Sequence, residues 1–142
     1  MAHIVELRAM SDEQLQERIE NAREELFNLR FQKASARLQD TSRIRYVRRE
    51  LAQMEEVLHK RQLAVEAAAN EPEIAAALQD QNWQGRARYV YEDTTWEVEF
   101  LDADGNQLAL ASVNLNKKRP RNKKQAERKG QPNLVTSFEV TG

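Results

Sequence analysis

The first 69 residues of this 142-residue chain contain neither glycine nor proline, whereas all four glycines and all three prolines fall in residues 70–142. Nothing in the first segment therefore interrupts a helix, and its apolar residues repeat accordingly. Leu15, Ile19, Ala22, Leu26 and Leu29 are spaced 4, 3, 4, 3, and Ile44, Val47, Leu51, Met54 and Leu58 are spaced 3, 4, 3, 4. Such spacing keeps one narrow stripe of each helix facing a partner. Two seamed helices joined by the short polar stretch 35–41 predict an antiparallel, coiled-coil-like hairpin with its turn near Gln39-Asp40. The first helix has a start signal: Ser11 and Gln14 are spaced for a reciprocal cap, with Met10 and Leu15 in staple positions. Asp40, Thr41 or Ser42 can cap the second, whose pattern runs to about His59 and fades through an Ala-rich stretch to Ala69.

Beyond Asn70 a short helix over 70–81 is expected, with Asn70 as its cap and Pro72 in its first turn, and residues 82–85 read as a linker. The period then changes to two. Ala87, Tyr89 and Tyr91, then Trp96, Val98 and Phe100, then Leu108 and Leu110, then Leu134, Phe138 and Val140 mark short strands. Asp102-Ala103-Asp104-Gly105-Asn106 is a hairpin turn between two of them. The expected fold class is α+β: a two-helix hairpin over 1–69, a short helix and linker over 70–85, and a small antiparallel β extension over 86–142 with a solvated basic loop at 117–130.

The formal net charge of −1 argues against a nucleic-acid partner only if charge is evenly spread, and it is not. Seven basic residues stand against one acid between Arg30 and Arg49: Arg30, Lys33, Arg37, Arg43, Arg45, Arg48 and Arg49 against Asp40. In a hairpin they gather at the tip. Residues 71–104 hold nine acids and two bases, and residues 117–129 hold eight bases and one acid. Two positive patches of a size that binds a phosphate backbone are thus separated by acidic sequence.

Arg45, Arg48 and Arg49 lie off the seam, where they either point outward to phosphates or pair with Glu20, Glu24 and Glu25 on the facing helix. Phe27 and Phe31 flank the first seam and are expected to widen the core, with stacking on an unpaired base as the alternative. Lys117, Lys118, Arg119, Arg121, Lys123 and Lys124 form the second patch, read as an arm that orders on RNA.

No catalytic constellation is present, and the chain is not expected to be an enzyme. The absence of cysteine removes disulfides and thiolate chemistry, and His3 and His59 lack paired ligand spacing, so no metal or cofactor is expected. The sequence 102–105 resembles the start of a calcium loop, but the twelfth position is Val113 rather than Glu. The longest apolar run is five residues, 74–78, and the first residues have no apolar signal core, so a soluble cytoplasmic protein is expected.

Glu6-Leu7-Arg8, the start at Ser11, the run Glu25-Leu26-Phe27-Asn28-Leu29-Arg30-Phe31-Gln32, Ala34-Ser35 and Val47-Arg48-Arg49-Glu50-Leu51-Ala52 occur in order and spacing similar to a known family. Residues 6–61 resemble bacterial large-subunit ribosomal protein L-twenty-nine. The resemblance implies a structural constituent of the large ribosomal subunit, bound to ribosomal RNA near the nascent-chain tunnel exit beside ribosomal protein L-twenty-three, where factors acting on emerging chains dock. It also implies RNA-facing roles for Asn28, Arg30, Gln32, Arg48 and Arg49. Where the family commonly has Gly after Ala-Ser this chain has Ala36, so a turn needing positive φ is expected to be reshaped or shifted. Residues 73–142 have no counterpart in the usual short member. The competing reading is a coiled-coil protein–protein interaction module that binds no RNA.

Overall fold

A computed structural model describes residues 3–117, 120–130 and 132–141. Its element order is α1 (Ile4–Ala9), α2 (Asp12–Ala34), α3 (Ser42–Ala69), α4 (Pro72–Leu78), β1 (Trp83–Val90), β2 (Thr95–Asp102), β3 (Gln107–Val113), α5 (Lys123–Lys129) and β4 (Val135–Val140). The fold is α+β, as the periodicities predict. The chain divides into two compact units, Met1–His59 and Lys60–Gly142. The division falls inside α3, so the end of that helix belongs to the second unit.

In the first unit, Ser11 Oγ accepts from the Gln14 N–H and Gln14 Oε1 accepts from the Ser11 N–H, both at 3.2 Å. Two donors at the start of α2 that have no helical partner are thereby satisfied. The seam of α2 is buried as spaced: Leu15, Ile19, Ala22, Leu26 and Leu29 pack with Val47, Met54 and Val57 of α3. Ile44, Leu51 and Leu58 border the same cluster. The helix α1 was not anticipated. Its Leu7 is wholly buried in this cluster, flanked by Ile4 and Met10, and such burial contributes roughly 1.5–3 kcal/mol.

The tip keeps its positive-φ turn without glycine. Ala36 has φ 57°, the Arg37 N–H donates to the Gln32 carbonyl at 2.9 Å, and the Ala36 N–H donates to the Lys33 carbonyl at 3.1 Å. This is a Schellman ending with an alanine where glycine is the cheaper residue. The expectation of a reshaped turn is corrected: two end hydrogen bonds outweigh a left-handed alanine costing about 1–2 kcal/mol. Of the three possible caps of α3, Asp40 acts. Its Oδ1 accepts from the Ser42 hydroxyl at 2.5 Å and the Ser42 N–H at 3.0 Å, which lowers the carboxyl pKa below the ordinary aspartate value.

The second unit is a four-stranded antiparallel meander in the order β1-β2-β3-β4 with helices on one face. Its core joins Ala64 and Ala68 of α3, Ile74 and Leu78 of α4, Trp96, Val98 and Phe100 of β2, Ala109, Ala111 and Val113 of β3, and Val135. Large residues on β2 lie opposite small ones on β3: Val98 pairs with Ala111 and Phe100 with Ala109. The period-two pattern marks β3 by Leu108 and Leu110; Leu108 packs half-buried against the core, but the fully buried residues of the strand are Ala109, Ala111 and Val113. The register shifts at Phe100/Leu101, leaving Leu108 as the extra residue, and Leu110 faces outward opposite Glu99. On β4, Val135 is buried, Phe138 is half-buried and Val140 is exposed, and Leu134, just before the strand, is half-buried.

Three further expectations are corrected. Residues 83–85 are not linker but the start of β1, where Trp83 meets Phe100 edge to face at 5.4 Å. Gly85 is there because α3 lies close over the strand: a Cβ on Gly85 would sit 2.6 Å from Val65 Cγ1. At the start of the short helix α4 the N-cap position is Glu71, not Asn70, without a side-chain cap hydrogen bond, and Pro72 follows it. The basic stretch 117–130 is not a bare loop, because it contains α5. The Asp102 turn forms as expected. Gly105 has φ 89°, and the Asp102 carboxyl is held below its ordinary pKa, chiefly by the Asn106 N–H at 2.8 Å.

Candidate nucleic-acid interface

The end of α2, the connecting turn and the start of α3 carry the first basic patch. Asn28, Arg30, Gln32, Lys33 and Arg37 are all exposed, and so are Arg43, Arg45, Arg48 and Arg49. The cause is helical phase. With about 100° per residue, Arg45 and Arg49 lie on the side of α3 opposite buried Val47, and Arg48 is a quarter turn from it.

Exposure does not mean availability, and the ion pairs separate these cations. Arg43 is held by Glu25 at 2.7 Å and lies over the Tyr46 ring at 5.1 Å. It bolts the two helices together near the tip, while Arg23 and Glu55 pair at 2.8 Å further down the stem. Among the described residues, no carboxylate lies within ion-pair distance of Arg30, Lys33, Arg37, Arg45, Arg48 or Arg49. Of the pairing partners considered from the sequence, only Glu25 engages an arginine of this tip. The remaining cations keep their planar or ammonium donors for a bound anion.

Phe27 and Phe31 do not widen the core. They are 70% and 63% exposed, one helical turn apart. Each is rotated well off the Leu26/Leu29 stripe, and a single facing helix covers only that stripe. Two bare aromatic rings beside free guanidinium groups can stack on planar π systems as well as on apolar surface.

The second patch lies between β3 and β4. Lys118 and Arg119 fall outside the described residues. Lys117 is occupied, its Nζ donating to the Asn133 carbonyl at 2.6 Å. Arg121, Lys123 and Lys124 are exposed. Arg128, omitted from the sequence-based candidates, is exposed one turn beyond Lys124. The signal for it was Asn122 three residues ahead of Gln125, a cap spacing that converts the stretch into a helix and brings positions 124 and 128 onto one face. Among the described residues, no group of three or more His, Cys, Asp or Glu could hold a metal ion, and no helix is long and apolar enough to cross a membrane.

The seamed helical hairpin carries at its tip a row of cations without carboxylate partners, and sequence comparison puts this chain among the ribosomal proteins. Residues 5–61 match the family described as ribosomal L29 protein. The chain is similar to the large ribosomal subunit protein uL29 of Mycobacterium ulcerans, 46% identical over 68 residues, which is 48% of this chain and 85% of that protein. It is similar also to uL29 of Mycobacterium tuberculosis, 48% identical over 60 residues, covering 42% of this chain and 78% of the relative. The chain belongs to the ribosomal L29 protein family. Residues 62–142 lie beyond the family match.

Proposed function

We infer that the chain is a structural constituent of the large ribosomal subunit that binds ribosomal RNA through its hairpin tip. The observation that carries this reading is the row of exposed cations without carboxylate partners in the segment that matches the family. Arg30, Lys33, Arg37, Arg45, Arg48 and Arg49 grip phosphate oxygens, Asn28 and Gln32 add hydrogen bonds one turn apart on α2, and Phe27 and Phe31 offer faces for unpaired bases. Arg43 acts differently, tying α3 to α2 through Glu25 so that the row keeps its shape. No reaction is involved. The protein works by binding and positioning.

The resemblance adds a location: near the exit of the nascent-chain tunnel, beside ribosomal protein L-twenty-three, where factors acting on emerging chains dock. The β extension then adds contacts with neighbouring RNA or protein. Cosedimentation of the tagged full-length chain with large subunits in a sucrose gradient tests this reading. Recovery in the large-subunit fraction is expected, and recovery only at the top of the gradient overturns it.

The exposed Phe27/Phe31 pair gives one specific ground for a second reading, a protein-binding hairpin that needs no RNA. In-cell crosslinking separates the two. Protein partners without ribosomal RNA would favour the second.

A further inference from the structure

Residues 121–130, between β3 and β4, have a defined geometry that their charge alone would not give them. Asn122 Oδ1 accepts from the Gln125 N–H and Gln125 Oε1 accepts from the Arg121 N–H, each at 2.9 Å, so the start of α5 is capped from both sides. At its other end Gly130 has φ 68° and its N–H donates to the Ala126 carbonyl at 2.9 Å. The base of the stretch is clamped as well. Lys117 Nζ reaches the Asn133 carbonyl at 2.6 Å, and the Asn114 N–H donates to the Leu134 carbonyl at 2.7 Å.

On this support Ala126 is half-buried, while Lys124 and Arg128, on the opposite side of the helix, are exposed, as are Arg121 and Lys123. Among the described residues none of these four is paired with a carboxylate. Among the described residues the large exposed apolar side chains are Val5, Phe27, Phe31, Trp83, Tyr91 and Val140, and none belongs to this stretch. A protein partner is held mainly by buried aromatic or aliphatic anchors, which α5 lacks. A polyanion recognised through its phosphates needs only cations held in place.

We propose that the α5 segment is a second RNA-binding element, distinct from the hairpin tip, in which Lys124 and Arg128 are the principal phosphate contacts and Arg121 and Lys123 flank them. Lys117 is a strut that holds the segment and makes no RNA contact. The caps and clamp mean that little conformational entropy is lost on binding, unlike in a basic tail that must order first. The proposal rests on the reading of the chain as an RNA-bound ribosomal protein, and it commits the extension's contacts to RNA.

The test uses the full-length chain and a labelled structured RNA of mixed sequence, with affinity followed across a salt titration. Four proteins are compared: the parent, Arg48→Glu with Arg49→Glu, Lys124→Glu with Arg128→Glu, and all four together. Circular dichroism checks folding, and Lys124→Gln with Arg128→Gln serves as the milder variant. The α5 variants should bind about tenfold more weakly, with the log–log salt slope shallower by roughly 1.5–2. The fourfold variant should lose more than either pair alone. Parental affinity and slope in both α5 variants overturn the proposal. Loss in the α5 variants with no loss in the tip variant would uphold it while removing the tip from the RNA interface. Competition by polyglutamate equal to RNA per charge, with RNA affinity intact in the α5 variants, would assign the element to an acidic protein and overturn it.

Discussion

The hairpin and the sheet unit bury apolar surface in opposite ways. In the hairpin, apolar residues recur on a narrow stripe, so most of each helix stays in water and is free to carry charge. In the sheet unit, Trp96, Val98 and Phe100 on one strand need small neighbours, supplied by Ala109 and Ala111 alongside and Ala64 and Ala68 from the helix above. The first arrangement tolerates exchange among aliphatic side chains. The second depends on which residue meets which, and so on register. The basic patches differ in the same sense: the tip cations ride on helices whose phase is set by the seam, whereas those on α5 depend on local caps.

The largest expected effect is at the centre of the sheet. Phe100→Ala should cost about 3–5 kcal/mol, because Phe100 is wholly buried and its opposite neighbour, Ala109, cannot fill the space. Hydrogen exchange should show sheet amides losing protection while amides around Leu15 and Val47 keep theirs. Equal loss in both would mean that the two units do not fold separately.

Gly85→Ala sharpens the dependence on close approach. Its new Cβ meets Val65 Cγ1 at 2.6 Å, which should cost about 1–3 kcal/mol in denaturant unfolding. Combining it with Val65→Ala should cost less than the sum of the two single changes. Simple additivity would show that helix and strand are less tightly apposed than described.

The smallest effect is in the hairpin, where Ala36→Gly should stabilise by about 1 kcal/mol, because the left-handed backbone at φ 57° suits glycine. An unchanged or lower melting temperature would mean that the tip relaxes to another turn in solution.

These contrasts also explain what could be read from the sequence. The seams, the Ser11–Gln14 cap, the Asp102 turn and the inward face of β2 are local or periodic, and they were legible. The helix α1 was not, since six residues are too few to display a helical period. The buried residues of β3, Ala109 and Ala111, were not legible, because leucine outranks alanine in apolarity while pairing across a register shift decides which residues face the core. Charge arithmetic located both basic patches. It could not tell that Arg43 is held by Glu25, that Lys117 is held by a backbone carbonyl, or that Phe27 and Phe31 stand in solvent, because those facts depend on the facing element.

If the hairpin tip fastens this chain to the large subunit through phosphate contacts, reversing its charge must empty the subunit of the protein. Tagged parent and the Arg48→Glu, Arg49→Glu variant would be expressed in turn as the only copy, and their stoichiometry measured in purified, salt-washed large subunits. Near-full occupancy is expected for the parent and at least a tenfold loss for the variant at equal expression and helicity. Equal occupancy of the two would mean that the tip does not hold the chain on the subunit.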